Sequence, residues 1–159
     1  MRRLAWFLGL ALVGMGSAAS VGQQVTGGAG CVVNDRVRTC NWEGFKQLLS
    51  AATTAAVEAP AMERFTDNDL RDLAKKLGKR VVGGDDHADL TFEVVSADQD
   101  AIVFGPSDRN LAELRVYAGG SDRAPLVWVE TYRGQGDEPW PSIVGAVVMQ
   151  FQDHVMAKR

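Results

Sequence analysis

The stretch Ala88-Asp89-Leu90-Thr91-Phe92-Glu93-Val94-Val95 decides the fold of this 159-residue chain. Apolar and polar side chains alternate along it with a period of two, and β-branched and aromatic residues are frequent. This pattern is typical of a strand with one buried face. It places Leu90, Phe92 and Val94 on the buried face.

Two further runs, at residues 111–118 and 126–132, alternate in the same way and extend this strand into a sheet. The first run directs Leu114 inward, and the second directs Val127 and Val129 inward. Short turns between sequential strands favour an antiparallel meander. Val81-Val82 is a candidate edge strand, and residues 101–104 are a candidate extension of the sheet.

Helical periodicity appears in three segments that flank these strands. The first begins at Asn41 or Thr39 and runs through an alanine-rich end towards Pro60. Its apolar residues recur about every three or four positions, at Trp42, Phe45, Leu49, Ala52 and Ala56. The second segment covers 66–77 and the third 141–157. The element order predicts an α/β two-layer sandwich, with helices on one face of an antiparallel sheet of three to four strands.

The first residues have the order of a secretory signal peptide. Met1-Arg2-Arg3 is a short basic start, residues 4–13 are an apolar run with one glycine, and small residues follow at 16–19. The apolar run is short for a bilayer span, so cleavage is favoured over an uncleaved anchor. We divide the chain into a signal peptide at 1–19, a leader and disulfide hairpin at 20–40, and a single α/β domain at 41–159.

The charge balance argues against nucleic acid and anionic lipid as partners. The formal net charge is −3 for the whole chain, and it becomes −5 without residues 1–19 because two arginines and no acids are removed. We expect a periplasmic or secreted protein with no stable membrane insertion after signal cleavage. The oligomeric state stays open.

Two cysteines, Cys31 and Cys40, lie nine positions apart. In an oxidising compartment an even pair at short spacing favours a disulfide, and a turn at Asp35-Arg36 would place the two opposite each other in a hairpin. The alternatives are a redox pair or a metal site, but redox pairs are typically spaced C-x-x-C. A structural bridge would stabilise the fold by about 2.7 kcal/mol on the chain-entropy model.

The motif Ala-Asp-Leu-Thr-Phe-Glu-Val at 88–94 resembles the corresponding strand of small exported bacterial α/β domains of unknown function. Leu-Arg-Val-Tyr at 114–117, Leu-Val-Trp-Val-Glu at 126–130 and the closing helix at 141–157 fit the same pattern. In architecture these domains are similar to the TolB amino-terminal and curli-secretion (CsgG-like) domains. The resemblance covers about residues 67–157 and implies a non-catalytic role in the cell envelope. It transfers no functional residues, because the shared positions are packing positions.

One polar cluster could carry chemistry, namely Asp85-Asp86-His87 with Asp89. Carboxylates and an imidazole on a loop can bind a divalent cation or act as acid and base, which would suit a metal-dependent hydrolase-type enzyme. The alternative is a turn with an Asx-type hydrogen bond that leads into the strand, and we prefer it. No nucleophile-elbow, zinc-protease, P-loop or dinucleotide motif is present after residue 19, and no cofactor is indicated.

The outward face of the sheet is the more informative feature. The alternation assigns five candidate partner-binding residues to it, namely Arg115, Tyr117, Trp128, Glu130 and Tyr132. Aromatic side chains with a few charges have the composition of a protein-binding surface. Two other interpretations are cross-strand pairing on a solvated face and coverage of this face by the Trp42 helix. The sequence therefore predicts a non-catalytic exported module that binds a protein partner in the envelope.

Overall fold

A computed structural model of the chain describes residues 28–34, 37–59, 64–83, 87–96, 110–120 and 124–157. Within these ranges the fold is α/β, with three helices, a five-stranded mixed sheet and a two-stranded sheet. In chain order the elements are β1 Cys31–Asn34, β2 Val37–Cys40, α1 Trp42–Ala51, β3 Thr54–Glu58, α2 Arg64–Lys76, β4 Arg80–Val81, β5 Leu90–Ser96, β6 Leu111–Ala118, β7 Leu126–Arg133 and α3 Trp140–Ala157.

The large sheet has the strand order β4-β3-β5-β6-β7. Strands β5, β6 and β7 form the predicted antiparallel meander. Strand β3 pairs in parallel with β4 on one side and with β5 on the other. The sheet is therefore mixed and five-stranded, and the expectation of an antiparallel sheet of three to four strands holds only for the meander.

All three helices pack on one face of the sheet, here called the helix-covered face. Its strand residues include Leu90, Phe92 and Val94 of β5, which are buried as the alternation predicts. The helices contribute Phe45, Leu70, Leu73, Ile143, Val147 and Phe151 to the same core. The opposite side, here called the second face, carries Thr91, Glu93, Glu113, Arg115 and Tyr117, because strand neighbours alternate between faces.

The hairpin and its disulfide are confirmed. Strands β1 and β2 pair antiparallel with Cys31 directly opposite Cys40, and the two sulfur atoms are bonded. Asn41 follows at once and begins α1: its side-chain oxygen accepts a hydrogen bond from the backbone N–H of Gly44 at 3.2 Å. Of the two predicted helix caps, Asn41 is therefore the one used, as its residue type favours.

The predicted end of the first helix is wrong. The helix stops at Ala51, and Thr54–Glu58, which the alanine periodicity assigned to the helix, is β3, an interior strand between β4 and β5. Ala55 and Ala56 are buried on opposite faces of this strand. Small side chains suit a strand that is covered on both sides, so tertiary packing here overrides the helical propensity of alanine.

The other predicted helices are confirmed as α2, at Arg64–Lys76, and α3, at Trp140–Ala157. The candidate edge strand is present as β4, shifted by one residue. None of the helices in the described part of the chain has the length and apolar character that a membrane span requires. The predicted signal peptide, the Asp35-Arg36 turn and the strand extension at 101–104 lie outside the described residues.

Candidate functional site

The pairing of β6 with β7 divides the five candidate partner-binding residues between the two faces. Trp128 lies opposite Val116, Glu130 opposite Leu114 and Tyr132 opposite Ala112. Since Leu114 and Val116 belong to the helix-covered face, the three β7 residues belong to it as well. The assignment of all five residues to one outward face is therefore wrong.

A register shift between β6 and β7 explains this error. Val116 pairs with Trp128, but its neighbour Tyr117 pairs with Leu126, so Val127 is an extra residue in β7. Such a bulge sets two residues of one strand against one of the other and changes the phase of the alternation. Val127 is buried as predicted, and Trp128 beside it is buried too.

Trp128 lies in an aromatic cluster formed with Trp42, Phe45 and His154. Its ring centroid is 5.1 Å from that of Phe45, in a stacked geometry, and 5.0 Å from that of Trp42, in an edge contact. The ring of His154 stacks on Trp42 at 4.6 Å and meets Trp128 edge-on at 5.4 Å. Trp128 is only 8% exposed. The interpretation in which the Trp42 helix covers this residue is therefore the one the geometry supports.

The carboxylate of Glu130 lies beside this aromatic cluster and is held by hydrogen bonds. It accepts hydrogen bonds from Trp128 Nε1 at 3.2 Å and from Gln150 Nε2 at 2.6 Å, and His154 Nδ1 lies 3.2 Å from the same group. Gln150 and His154 are four residues apart on α3, so both reach β7 from one helix face. Three partners compensate the burial of this carboxylate.

Tyr132 lies at the margin of the cluster. It is half-buried and packs against the main core. Gln150 Nε2 also lies 3.2 Å from the carbonyl oxygen of Thr131, which brings α3 against the outer strand at this point. The β7 residues that the sequence assigned to binding thus hold α1 and α3 onto the sheet.

Arg115 and Tyr117 remain together on the second face, each in a side-chain hydrogen bond. Arg115 donates to Glu113 Oε2 from Nε at 3.0 Å and from Nη2 at 2.8 Å. The Tyr117 hydroxyl donates to Glu93 Oε2 at 2.9 Å. Burial, and then the hydrogen bond to Glu93, raises the pKa of Tyr117 above its usual value. These contacts fix the rotamers of an aromatic and a cationic side chain.

Of the predicted acidic loop, Asp85 and Asp86 lie outside the described residues, and His87 is exposed. Asp89 is used elsewhere: its Oδ2 accepts from the backbone N–H of Thr53 at 2.7 Å and of Thr54 at 2.9 Å. These two backbone hydrogen bonds hold the pKa of Asp89 well below its usual range, and the bond from Thr53 lowers it more than the bond from Thr54 does. The carboxylate thus joins β5 to the start of β3 through contacts 35 and 36 residues away in sequence, and not through the local Asx-type bond that the turn interpretation expects.

Within the described ranges, no three His, Cys, Asp or Glu side chains are placed to hold a metal ion together. Sequence reasoning also missed two polar features. The pair Glu130–His154 carries a weak signal, namely a histidine four residues after a glutamine on an apolar helix. The second feature is buried Lys79, for which the sequence gives no signal. Its ammonium group donates to the carbonyl oxygens of Leu49 and Ala52, at the end of α1.

Comparison with family models, with curated proteins and with solved structures found no match to this chain. The class that the fold defines is a small α/β protein with a disulfide hairpin. The likeness to TolB amino-terminal and curli-secretion domains stays a prediction.

Proposed function

We propose that this chain is an exported, non-catalytic module that binds a protein partner through the second face of its sheet. Arg115 and Tyr117 are the central contact residues. The observation that carries the proposal is the pair of hydrogen-bonded couples on that face, Arg115 with Glu113 and Tyr117 with Glu93. Arginine and tyrosine are enriched among the residues that dominate binding energy.

The conformation of these side chains supports a binding role. Side chains that are ordered before association lose less rotamer freedom when a partner arrives. The Arg115 side chain is 22% exposed, so it is partly desolvated and still accessible. Val129 lies directly opposite Arg115 on β7 and adds apolar surface beside the charges. The helix-covered face has no comparable role, since its residues pack against α1, α2 and α3.

The disulfide supports the proposed compartment. Cys31 and Cys40 are bonded, and structural disulfides persist in oxidising compartments such as the periplasm and the extracellular space. Together with the predicted signal peptide, this favours export. Trp128, Glu130 and Tyr132 serve in this proposal as the support for the sheet and not as contact residues.

Site-specific photocrosslinking in cells that produce the protein tests the proposed surface. A photoreactive phenylalanine analogue replaces Tyr117, and a control probe replaces Asn68, which is exposed on α2. We expect a discrete adduct from position 117 and none from position 68. The same adducts from both probes, or none from position 117, would refute a specific partner on this face.

Affinity for the crosslinked partner then tests the residues. We expect Arg115→Ala to weaken binding about tenfold or more, since truncation of a central arginine commonly costs more than 1 kcal/mol. The matched control is Arg64→Ala, which removes an exposed arginine of α2, in the helix layer on the other side of the sheet, and should change affinity less than twofold. Equal effects of the two substitutions would show that only net charge matters.

A further inference from the structure

Residues 28–30, here called the strap, lie against the first turn of α1. The Asn41 side chain donates from Nδ2 to the carbonyl oxygen of Gly28 at 2.5 Å, and the backbone N–H of Asn41 donates to Gly30 at 2.9 Å. Between these two bonds Ala29 is fully buried in the main core. The strap thus closes over the beginning of the helix.

The contact between the strap and α1 is close enough to require a glycine in the helix. A Cβ atom at Gly44 would lie 2.3 Å from the carbonyl oxygen of Gly28 and 2.6 Å from the backbone nitrogen of Ala29. Gly28 itself has a φ of 78°, a left-handed conformation that glycine adopts readily. Backbone therefore packs directly on backbone at this point.

The disulfide closes the strap onto the helix. Cys31 directly follows the strap, and Cys40 directly precedes Asn41, the residue that caps α1. The bond between the two cysteines therefore completes a ring with the hydrogen bonds from Asn41. Both cysteines are half-buried, so a small reductant can reach this end of the hairpin.

Helix α1 in turn covers the aromatic cluster. Trp42 and Phe45 lie over Trp128, with ring centroids 5.0 and 5.1 Å away. The other end of α1 is held by Lys79, which donates to the carbonyl oxygens of Leu49 and Ala52. The helix is thus attached to the domain at both ends, and only the first attachment contains a bond that can be reduced.

We propose that the Cys31–Cys40 disulfide is a redox-sensitive latch: its reduction by a dithiol releases the strap and the first turn of α1 and uncovers Trp128. A thiolate of the dithiol attacks one cystine sulfur, and the other cysteine leaves as a thiolate. The second thiol of the dithiol then breaks the mixed disulfide. Two electrons pass to the protein, the dithiol becomes a disulfide, and its two protons end on Cys31 and Cys40.

The size of the effect follows from the loop that the bond closes. The cysteines are separated by nine positions, and the chain-entropy model assigns such a loop about 2.7 kcal/mol, or roughly a hundredfold in an equilibrium constant. Reduction should therefore raise the fraction of molecules with an open strap by up to about a hundredfold. Once the bond is broken, the strap is held by the two Asn41 hydrogen bonds and one buried methyl group.

Hydrogen exchange of the full chain, with and without dithiothreitol, tests the proposal. We expect amides in the first turns of α1 to exchange up to about a hundredfold faster after reduction, while those of α2 and α3 stay protected. The double variant Cys31→Ser/Cys40→Ser should exchange like the reduced protein and should not respond to dithiothreitol. Hydroxyl-radical footprinting should label Trp128 only after reduction.

Three results would overturn the latch. Unchanged exchange in α1 would mean that the strap does not depend on the bond. A parallel loss of protection in all three helices would make the disulfide a general structural crosslink. Faster exchange in α1 without labelling of Trp128 would show that the aromatic cluster stays covered.

Discussion

Alanine substitution at two helical glycines tests the close packing of the strap on α1. Gly44 lies in α1 against the strap, and Gly145 in α3 is the matched control. The two substitutions should change the free energy of unfolding in opposite directions. Alanine is favoured over glycine inside a helix by about 1 kcal/mol. At Gly145, in α3, an added Cβ meets no heavy atom within 4 Å. Gly145→Ala should therefore raise the free energy of unfolding by about 0.5–1 kcal/mol.

At Gly44 the same gain in helix propensity is smaller than the cost of a steric clash with the strap. The added Cβ would meet the carbonyl oxygen of Gly28 at 2.3 Å, and backbone atoms cannot rotate away as a side chain can. If the strap moves, the two hydrogen bonds from Asn41 are lost, at about 1 kcal/mol each. Burial of the Ala29 methyl group is lost as well, at about 0.8 kcal/mol. After the helical gain is subtracted, Gly44→Ala should lower the free energy of unfolding by roughly 2 kcal/mol.

Urea unfolding followed by circular dichroism measures both variants. With a typical slope of about 1–3 kcal/mol per molar, the Gly44→Ala midpoint should fall by about 1 M, while that of Gly145→Ala rises by a few tenths. Equal slopes would show that the native states remain comparable. A Gly44→Ala protein as stable as the parent would refute the close approach of the strap to α1.

Three further substitutions test the site. Trp128→Ala should cost about 3–5 kcal/mol in urea unfolding, because it removes a buried ring and its bond to Glu130; a loss below about 1 kcal/mol would restore Trp128 as a surface residue. Because the folded-state pKa of Asp89 is depressed, its carboxylate stabilises the fold above pH 4, and this contribution disappears as the pH falls below that value. Asp89→Asn should therefore lower stability at pH 7 and flatten the acid limb of a stability–pH curve, and an unchanged acid limb would contradict this. Lys79→Met should cost about 2 kcal/mol and speed hydrogen exchange at the end of α1, since two helix carbonyls lose a charged donor; full protection there would contradict its capping role.

Much of the fold could be predicted from local pattern. Strand β5 buries Leu90, Phe92 and Val94, and the two-residue period is sufficient to identify that face. The disulfide followed from the spacing of Cys31 and Cys40 in a hairpin. Helix α3 followed from its apolar stripe after Pro141. Each of these features depends on residues close together in sequence.

Strand β3 could not be predicted in this way. The segment 54–58 continues the helical spacing of α1, and what ends the helix comes from far along the chain. Lys79 caps its last carbonyls, and Asp89 binds the backbone N–H groups of Thr53 and Thr54. Neither contact has a local signal.

The candidate site was misjudged for a more local reason. A single extra residue in β7, Val127, reverses the alternation that follows it. The strict period placed Trp128, Glu130 and Tyr132 outward, and the bulge turns them towards the helices. Arg115 and Tyr117, on the strand without the extra residue, kept their predicted face.

The bonds from Asp89 to the start of β3 have a consequence for the order in which the chain folds. The meander of β5, β6 and β7 joins neighbouring segments, whereas the Thr53–Asp89 bond closes a separation of 36 residues. Such long closures are slow, so we expect the meander to form before β3 joins it. If β3 paired with β5 one residue out of register, Val57 would turn out of the core and Glu58 would turn into it. By binding two successive N–H groups, Asp89 selects one alignment as the last strand enters, and a short alanine-rich segment can thus complete the sheet in a single register.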